Sequence, residues 1–293
     1  MEPLGAWATG IAATAAGGLL YSAGYEVRAY TLREVSAPVL PAGSAPIKVL
    51  HLSDLHMTPP QHKKQQWLRD LAATNPDLVV VTGDFLAHKD AVAPVVDALS
   101  SLRDVPGVFV FGSNDYYAPS MKNPARYLFS DDGKRIHGAD LPWQELKAQL
   151  ENFGWHDLTH KKKRVNICGT DIEFRGVDDA HLKRDDYSTI AGTVSAGAFG
   201  IGVSHAPYLR ILDGMQRDGV GITFAGHTHG GQLCIPFYGA LVTNCDLDTR
   251  RAKGLHQHHG MAMHVSAGLG TNPYTPVRFA CRPEASLVTL TAR

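Results

Sequence analysis

The sequence predicts an α/β protein, and three observations lead to that class. Short apolar runs that suit buried strands alternate along the chain with amphipathic segments that suit helices. Several of these runs end in a polar residue followed by a loop, at the position where sites gather in α/β sheets. The chain of 293 residues is long enough for one large domain or two small ones.

The composition is that of a soluble globular protein without excess charge. Hydrophobic residues make up 44% and charged residues 19% of the chain, and 28 basic residues balance 28 acidic ones. No global field therefore favours nucleic acid or an anionic membrane, and no nucleic-acid partner is expected. The cysteines are widely spaced without a CxxC pair, which argues against a disulfide framework and for a reducing compartment: Cys168, Cys234, Cys245 and Cys281.

An apolar N-terminal segment, residues 1–35, precedes the rest of the chain. Residues 4–25 carry no charge and are long enough to span a bilayer, although Gly, Ala, Ser and Thr dilute their hydrophobicity. Two interpretations stay open: a membrane anchor, or a Gly/Ala-rich helix that packs on the domain or lies at a membrane interface. Because Arg28 and Arg33 follow the run, a spanning segment would leave the main domain in the cytoplasm.

The remaining chain divides into a proline-containing linker, residues 36–46, and a domain, residues 47–293. Periodicity predicts strands and helices in alternation. The predicted strands cover 47–52, 78–81, 107–111, 201–203, 220–225, 262–266 and 286–291, with an antiparallel pair in 155–177. The predicted helices cover 61–74, 90–102 and 142–153, with another after Pro207. The long irregular segment 116–140 includes Tyr117 and Tyr127, which could cover an organic leaving group.

Two histidines at the end of one strand form the centre of the prediction. The apolar run 220–225 ends at Gly226, and His227 and His229 follow two residues apart. In an extended backbone such residues point to the same face, so both imidazoles can reach one point beyond the strand. Histidine is the commonest metal ligand in proteins. The pair therefore predicts half of a metal site.

Other apolar runs supply the remaining ligands. Each has the same plan of buried strand, polar residue and loop, and the polar residues are only Asp, Asn and His: Asp54, His56, Asp84, Asn114 and His205. Carboxylate, amide and imidazole ligands without a thiolate suit Mn, Fe, Zn or Mg. We expect these side chains to meet at one edge of the sheet.

Taken together, five short motifs resemble those of the calcineurin-like metallophosphoesterases. They are Asp54-Leu55-His56, Gly83-Asp84, Gly112 to Asp115, His205, and Gly226 to His229. The resemblance covers residues 47–291. Gly226 to Gln232, with the apolar N-terminus, resembles the bacterial membrane-associated branch that includes UDP-2,3-diacylglucosamine hydrolase-like proteins. The resemblance implies a four-layer α/β/β/α sandwich with a two-metal site at one edge.

The resemblance implies two divalent metal ions. One would be held by Asp54, His56 and His229, and the other would be held by Asn114, His205 and His227. Asp84 would bridge the two. A hydroxide between the metals would attack phosphorus in line. The implied function is a metal-dependent phosphoesterase acting on a phosphoester or pyrophosphate bond, on a substrate that is lipid-linked or nucleotide-linked. The implied location is cytoplasmic, with the membrane anchor as the open alternative.

The sequence departs from the family at residues 112–115. The family's usual motif is Gly-Asn-His-Asp, whereas this chain has Gly-Ser-Asn-Asp. A gapless alignment makes Ser113 the metal ligand. A one-residue shift makes Asn114 the metal ligand instead. We prefer Asn114, because an amide carbonyl binds a hard metal better than a neutral hydroxyl does. The shift puts Asp115 in the position of the His that assists the leaving group. The alternative function is a non-catalytic metal-binding member that acts as a sensor or scaffold.

One further cluster contains potential ligands. Asp178, Asp179 and His181 lie close together in the sequence. Because the ligand positions are already filled by other residues, we expect these three to form a surface turn.

Overall fold

Two six-stranded sheets form the centre of the protein in the computed structural model, which describes residues 16–121 and 138–293. The first sheet has the order β1 (Thr31–Leu40), β14 (Glu284–Ala292), β2 (Ile47–Leu52), β3 (Leu78–Val81), β4 (Gly107–Phe109) and β5 (His156–Asp157). The second has the order β12 (Gly254–His258), β13 (Met261–Val265), β9 (Ile222–Ala225), β8 (Phe199–Ser204), β7 (Thr170–Gly176) and β6 (Lys161–Ile167). A small hairpin pairs β10 (Cys234–Ile235) with β11 (Gly239–Ala240).

Parallel pairing in each sheet brings the functional loops to one edge. In the first sheet β2, β3 and β4 are parallel neighbours. In the second, β7, β8, β9 and β13 are parallel neighbours. Since parallel strands end at the same edge of a sheet, the loops after β2, β3 and β4 are adjacent, and so are those after β8 and β9. The lysine-rich strand β6 forms an outer edge, where charge discourages pairing with another chain.

Besides the α-helical residues 16–20, the described part of the chain contains five α-helices: α1 (His62–Asp70), α2 (Val92–Leu99), α3 (Ser113–Tyr116), α4 (Trp143–Glu151) and α5 (Leu209–Arg217). Short 3₁₀ turns continue α1 to Thr74 and α2 to Leu102, which confirms the predicted helices there.

Three buried clusters show how the layers pack. Leu50 and Leu52 of β2 face α1, α2 and α4, whereas Ile47 and Val49 of the same strand face the second sheet. This division follows from the two-residue period of a strand, which sends alternate side chains to opposite faces. The third cluster joins Leu212 and Met215 of α5 to the outer face of the second sheet. The α/β class is confirmed.

The prediction of a linker over residues 36–46 is wrong for residues 36–40. Residues 36–40 belong to β1, which pairs in parallel with β14 from Thr31 onward. Pro38 suggested a linker because proline cannot donate a ladder hydrogen bond, but β1 is the outermost strand of its sheet, where that loss is tolerated. The boundary predicted at residue 35 therefore cuts through a strand.

The N-terminal segment is described from residue 16. Tyr21–Tyr25 form a single π-helical turn and Glu26–Arg28 a 3₁₀ turn that leads into β1. Within 16–121 and 138–293, no helix is long and apolar enough to cross a membrane. Most of the predicted run 4–25 lies outside the described residues, and so does most of the 116–140 segment, Tyr127 included.

Candidate metal centre

The seven predicted ligands follow the ends of five strands. Asp54 and His56 come after β2, Asp84 after β3, Asn114 after β4, His205 after β8, and His227 and His229 after β9. The ligand atoms of Asp54, His56 and His229 lie within 4.8 Å of one another, as do those of Asp54, Asp84 and His205. The structure thus brings together loops from both sheets at one edge, as the sequence predicted.

Asp84 lies between two groups of imidazoles. Its Oδ2 is 3.4 Å from His56 Nε2, and its Oδ1 is 3.6 Å from His205 Nε2. On the first side, His56 Nε2 lies 3.3 Å from His229 Nε2, which in turn lies 3.6 Å from Asp54 Oδ1. On the second side, His205 Nε2 lies 3.3 Å from His227 Nδ1. One carboxylate therefore presents an oxygen to each of two adjoining ligand groups.

Backbone carbonyls determine which nitrogen of three imidazoles faces the cluster. His205 donates from Nδ1 to the Thr82 carbonyl at 2.7 Å, His227 from Nε2 to that of Asn244 at 3.2 Å, and His229 from Nδ1 to that of Gly270 at 3.1 Å. The other nitrogen of each ring then faces its neighbours in the cluster. Metal-bound histidines almost always make this second hydrogen bond, because it sets the tautomer and the orientation of the ring.

The loops that carry the ligands are held in an unusual backbone conformation. Asp54, His56, Asp84, His227 and His229 all have positive φ, between 41° and 69°. Non-glycine residues adopt this region rarely, and such residues concentrate at functional sites. The surrounding glycines leave no room for side chains: a Cβ on Gly112 would lie 2.3 Å from Asp84 Oδ1, and one on Gly226 would lie 1.8 Å from Ser53 Oγ. Five strained ligand positions in one cluster indicate a site built for binding.

A buried chain of hydrogen bonds orients Asp54. Ser53 donates to Asp54 Oδ2 at 2.5 Å, and Thr82 donates to Ser53 Oγ at 2.6 Å. The Thr82 hydroxyl lies 3.0 Å from His51 Nε2, and His51 Nδ1 lies 2.9 Å from His264 Nδ1. Because the Thr82 hydroxyl donates its hydrogen to Ser53 Oγ, its oxygen accepts from His51 Nε2. His51 Nδ1 then accepts from His264 Nδ1. Every donor in the chain points toward the Asp54 carboxyl group, which fixes that group in position.

The electrostatics of the cluster favour a cation. Burial raises the pKa values of Asp54 and Asp84, the direction expected of carboxylates removed from water. Burial also lowers the pKa values of His56, His227 and His229, so these imidazoles are neutral and can donate lone pairs. At His205 burial acts the same way, but the carboxylates led by Asp84 outweigh it and raise the pKa to about 9. This donor set fits divalent metal ions.

Residues 112–115, where the chain departs from the family's motif, lie at the start of the one-turn helix α3. The Asn114 side-chain amide lies 2.7 Å from Asp84 Oδ2, and its backbone N–H donates to Asp84 Oδ1 at 2.8 Å. Asn114 thus lies beside Asp84 in the cluster, donating to it from its side-chain nitrogen and its backbone N–H.

Asp115, in contrast, does not fit the role of leaving-group acid. Its fully buried carboxylate accepts from the backbone N–H groups of Asp84, Phe85, Leu86 and Gly112, at 2.7 to 3.1 Å. These contacts occupy both oxygens and clamp the loop after β3 to the loop after β4. Sequence reasoning could not separate a carboxylate that faces substrate from one that holds two loops together.

The expected surface turn at residues 178–181 is also wrong. Asp178 and Asp179 are buried. Asp178 accepts from the Tyr116 hydroxyl at 2.6 Å, and Asp179 accepts from the backbone of His181 and Leu182. The ring centroids of His181 and His227 are 4.3 Å apart, so this turn packs directly on the candidate metal centre. The polar residues soon after β7 were a usable signal, but the filled ligand positions argued against it.

Comparison with known proteins agrees with this geometry. The sequence profile of the family "Calcineurin-like phosphoesterase" matches residues 47–231. The chain is 30% identical to the metallophosphoesterase YkoQ of Bacillus subtilis, over 82% of each chain. It is 26% identical to the metallophosphoesterase YkuE of the same organism, over 95% of this chain and 93% of the relative. It is 23% identical to the UDP-2,3-diacylglucosamine pyrophosphatase LpxG of Chlamydia trachomatis, over 83% of each chain.

Proposed function

The chain belongs to the calcineurin-like phosphoesterase family and is a hydrolase, and from that premise we propose that it cleaves a phosphoester or pyrophosphate bond with two divalent cations. The observation that carries the proposal is the position of Asp84, which presents one oxygen to His56 and the other to His205. One carboxylate shared between two ligand groups is the arrangement that holds two cations close together.

Asp54, His56 and His229 would hold one cation, and Asn114, His205 and His227 the other. When bound, the cations would neutralise charge on the phosphoryl oxygens and ionise a water near neutral pH. The protein's part is positioning. The carbonyls of Thr82, Asn244 and Gly270 orient three imidazoles, and the hydrogen bond from Ser53 orients Asp54.

The substrate we propose is a lipid-linked or nucleotide-linked phosphate, acted on at a membrane. Two observations support this class. The relative from Chlamydia trachomatis is named for the pyrophosphate of UDP-2,3-diacylglucosamine, which is both lipid-linked and nucleotide-linked. Residues 4–25 of this chain carry no charge.

The residues at 113–115 suggest which leaving groups are preferred. The family's usual acid-assisting histidine is absent in both registers, and the Asp115 carboxylate is committed to backbone N–H groups. A general acid contributes typically about 10²–10⁴-fold, and it matters most when the leaving group is a strong base. We therefore expect aryl phosphates and phosphoanhydrides to be hydrolysed at least about 100-fold faster than simple alkyl phosphates.

The test is turnover of p-nitrophenyl phosphate, bis-p-nitrophenyl phosphate and an alkyl phosphate by the purified protein. Each is assayed before chelation, after chelation, and after Mn, Mg or Zn is restored. Activity that disappears with the chelator and returns with metal supports the proposal. Tight binding of metal without turnover of any substrate would contradict it and favour the sensor or scaffold.

A further inference from the structure

Exposed apolar side chains are concentrated on one part of the surface. Of the eleven large hydrophobic residues that are exposed within the described ranges, ten lie on three segments: 19–25, 235–241 and 274–279. Phe237 and Tyr238 at the tip of the β10–β11 hairpin are 112% and 74% exposed, and Leu20 is 75% exposed. We call these three segments the apolar face. Contiguous exposed apolar surface on a soluble domain marks an interaction site.

Contacts between the three segments show that the face is continuous. The rings of Tyr21 and Phe279 meet edge to face with centroids 6.2 Å apart. Phe279 in turn pairs through its backbone with the start of the hairpin, donating to Gln232 and accepting from Cys234 at 3.0 and 2.9 Å. Phe279 therefore joins the N-terminal turn to the hairpin.

The same segments border the metal cluster. The loop that carries Phe237 begins just after His229, and it ends near Asn244, whose carbonyl accepts from His227. The segment that carries Tyr274 and Phe279 begins just after Gly270, whose carbonyl accepts from His229. A partner that covers the apolar face would thus lie on loops whose carbonyls orient His227 and His229.

The chemistry of the face fits the surface of a lipid bilayer. Residues 3–25, 219–245 and 254–277 contain no Asp, Glu, Lys or Arg, so these stretches offer no charge for a complementary protein to match. Tyr21, Tyr25, Tyr238 and Tyr274 are all exposed on the face, and tyrosine favours the boundary between headgroups and acyl chains. In addition, the stretch of sequence before residue 16 has Glu2 as its only charged residue.

We propose that the apolar face docks on a lipid bilayer, with Phe237 and Tyr238 inserted among the lipids, and so holds the metal site at the headgroups. Docking itself needs no catalysis. The consequence that the site acts on phosphates of membrane lipids rests on the proposed phosphoesterase function.

The first test measures binding of the full chain to phosphatidylcholine vesicles by co-sedimentation. The double variant F237S/Y238S should bind at least about tenfold more weakly, because two exposed rings lose their transfer into lipid. The control M121S, which removes an exposed apolar residue outside the face, should bind like the wild type. Binding by F237S/Y238S equal to that of the wild type would overturn the proposal, and so would a wild type that does not bind.

The second test locates the inserted residue. Tryptophan introduced as F237W should be quenched by lipids brominated on their acyl chains, beyond the quenching seen in the wild type, whereas M121W should not. Absence of extra quenching in F237W would contradict insertion. If light scattering instead shows a dimer that F237S/Y238S dissociates, the face binds a second copy and the proposal fails.

Turnover of p-nitrophenyl phosphate, measured in parallel, separates this inference from the proposed function. F237S/Y238S should retain the wild-type rate on this small soluble substrate while losing vesicle binding. If neither protein turns the substrate over, the proposed function fails and the vesicle result still decides the docking.

Discussion

At the scale of single residues, the site depends on polar groups whose second hydrogen bond is already made. His205, His227 and His229 each give one ring proton to a backbone carbonyl, and Asp54 accepts from Ser53. Such partners reduce the reorganisation needed when a cation binds, because the rings and the carboxylate are already oriented. Asp84 has the most central position, since it contacts both ligand groups.

Replacing Asp84 with Asn should therefore remove metal and activity together. The amide keeps the shape of the carboxylate but loses the charge shared between the two groups. We expect metal content to fall and turnover to decrease by more than about 100-fold, the upper range for partners that only support a ligand. Metal analysis and phosphatase assays measure the two effects. Asp90→Asn, at a largely exposed aspartate, is the matched control. Full activity of Asp84→Asn with less than one metal per chain would rule out the two-cation proposal.

The choice between Ser113 and Asn114 can be decided by metal stoichiometry. Asn114 contacts Asp84 through both its side chain and its backbone N–H. Asn114→Ala should therefore lose about one metal per chain, whereas Ser113→Ala should keep both. If Ser113→Ala alone loses metal, the gapless alignment is correct and our choice of Asn114 is wrong.

At the scale of elements, the N-terminal turn and β1 belong to the folded domain. The buried Glu26 carboxylate accepts from the backbone N–H groups of Ala280 and Cys281 at 3.1 and 2.6 Å. Just after it, β1 pairs in parallel with β14 along its length. These contacts tie the segment 274–281, and with it part of the apolar face, to the start of the chain.

Two truncations should consequently behave differently. Removal of residues 1–15 leaves Glu26 and β1 intact, so the domain should keep its stability and its metal. Removal of residues 1–35 takes away Glu26 and half of β1, and should lower the free energy of unfolding by at least about 3 kcal/mol, from two hydrogen bonds to a charged group. Denaturant melts compare the two proteins. Equal stability of both truncations would mean that the N-terminal turn contributes nothing, and Glu26→Ala in the full chain tests its share directly.

At the scale of the whole molecule, a buried histidine pair joins the two sheets behind the site. His51 lies in β2 of the first sheet and His264 in β13 of the second, and both are buried. Burial lowers the pKa of His51 well below its usual value, with His264 adding to the effect. Burial likewise lowers the pKa of His264 to about 3. Both rings are thus neutral in the folded protein at neutral pH.

The pair should make stability depend on pH below about 6.5. Below that value the unfolded chain protonates these histidines and the folded protein does not, so the unfolded state binds more protons and stability falls as pH decreases. Each histidine adds a slope of up to about 1.4 kcal/mol per pH unit. Denaturant melts between pH 7 and pH 4.5 in chelator should show a shallower slope for His264→Asn than for the wild type. Identical slopes would mean that His264 is protonated in the folded protein.

The sequence by itself determined the α/β class, most strands and helices, and the residues that meet at the candidate metal centre. It could do so because strand period and strand ends are local patterns, and because parallel strands bring their carboxyl ends to the same edge. The tertiary structure decided the rest. It placed β1 in the sheet, turned Asp115 onto backbone N–H groups, and packed His181 against His227. Burial and hydrogen-bond partners come from segments distant in the chain, so no local pattern could assign those side chains their roles.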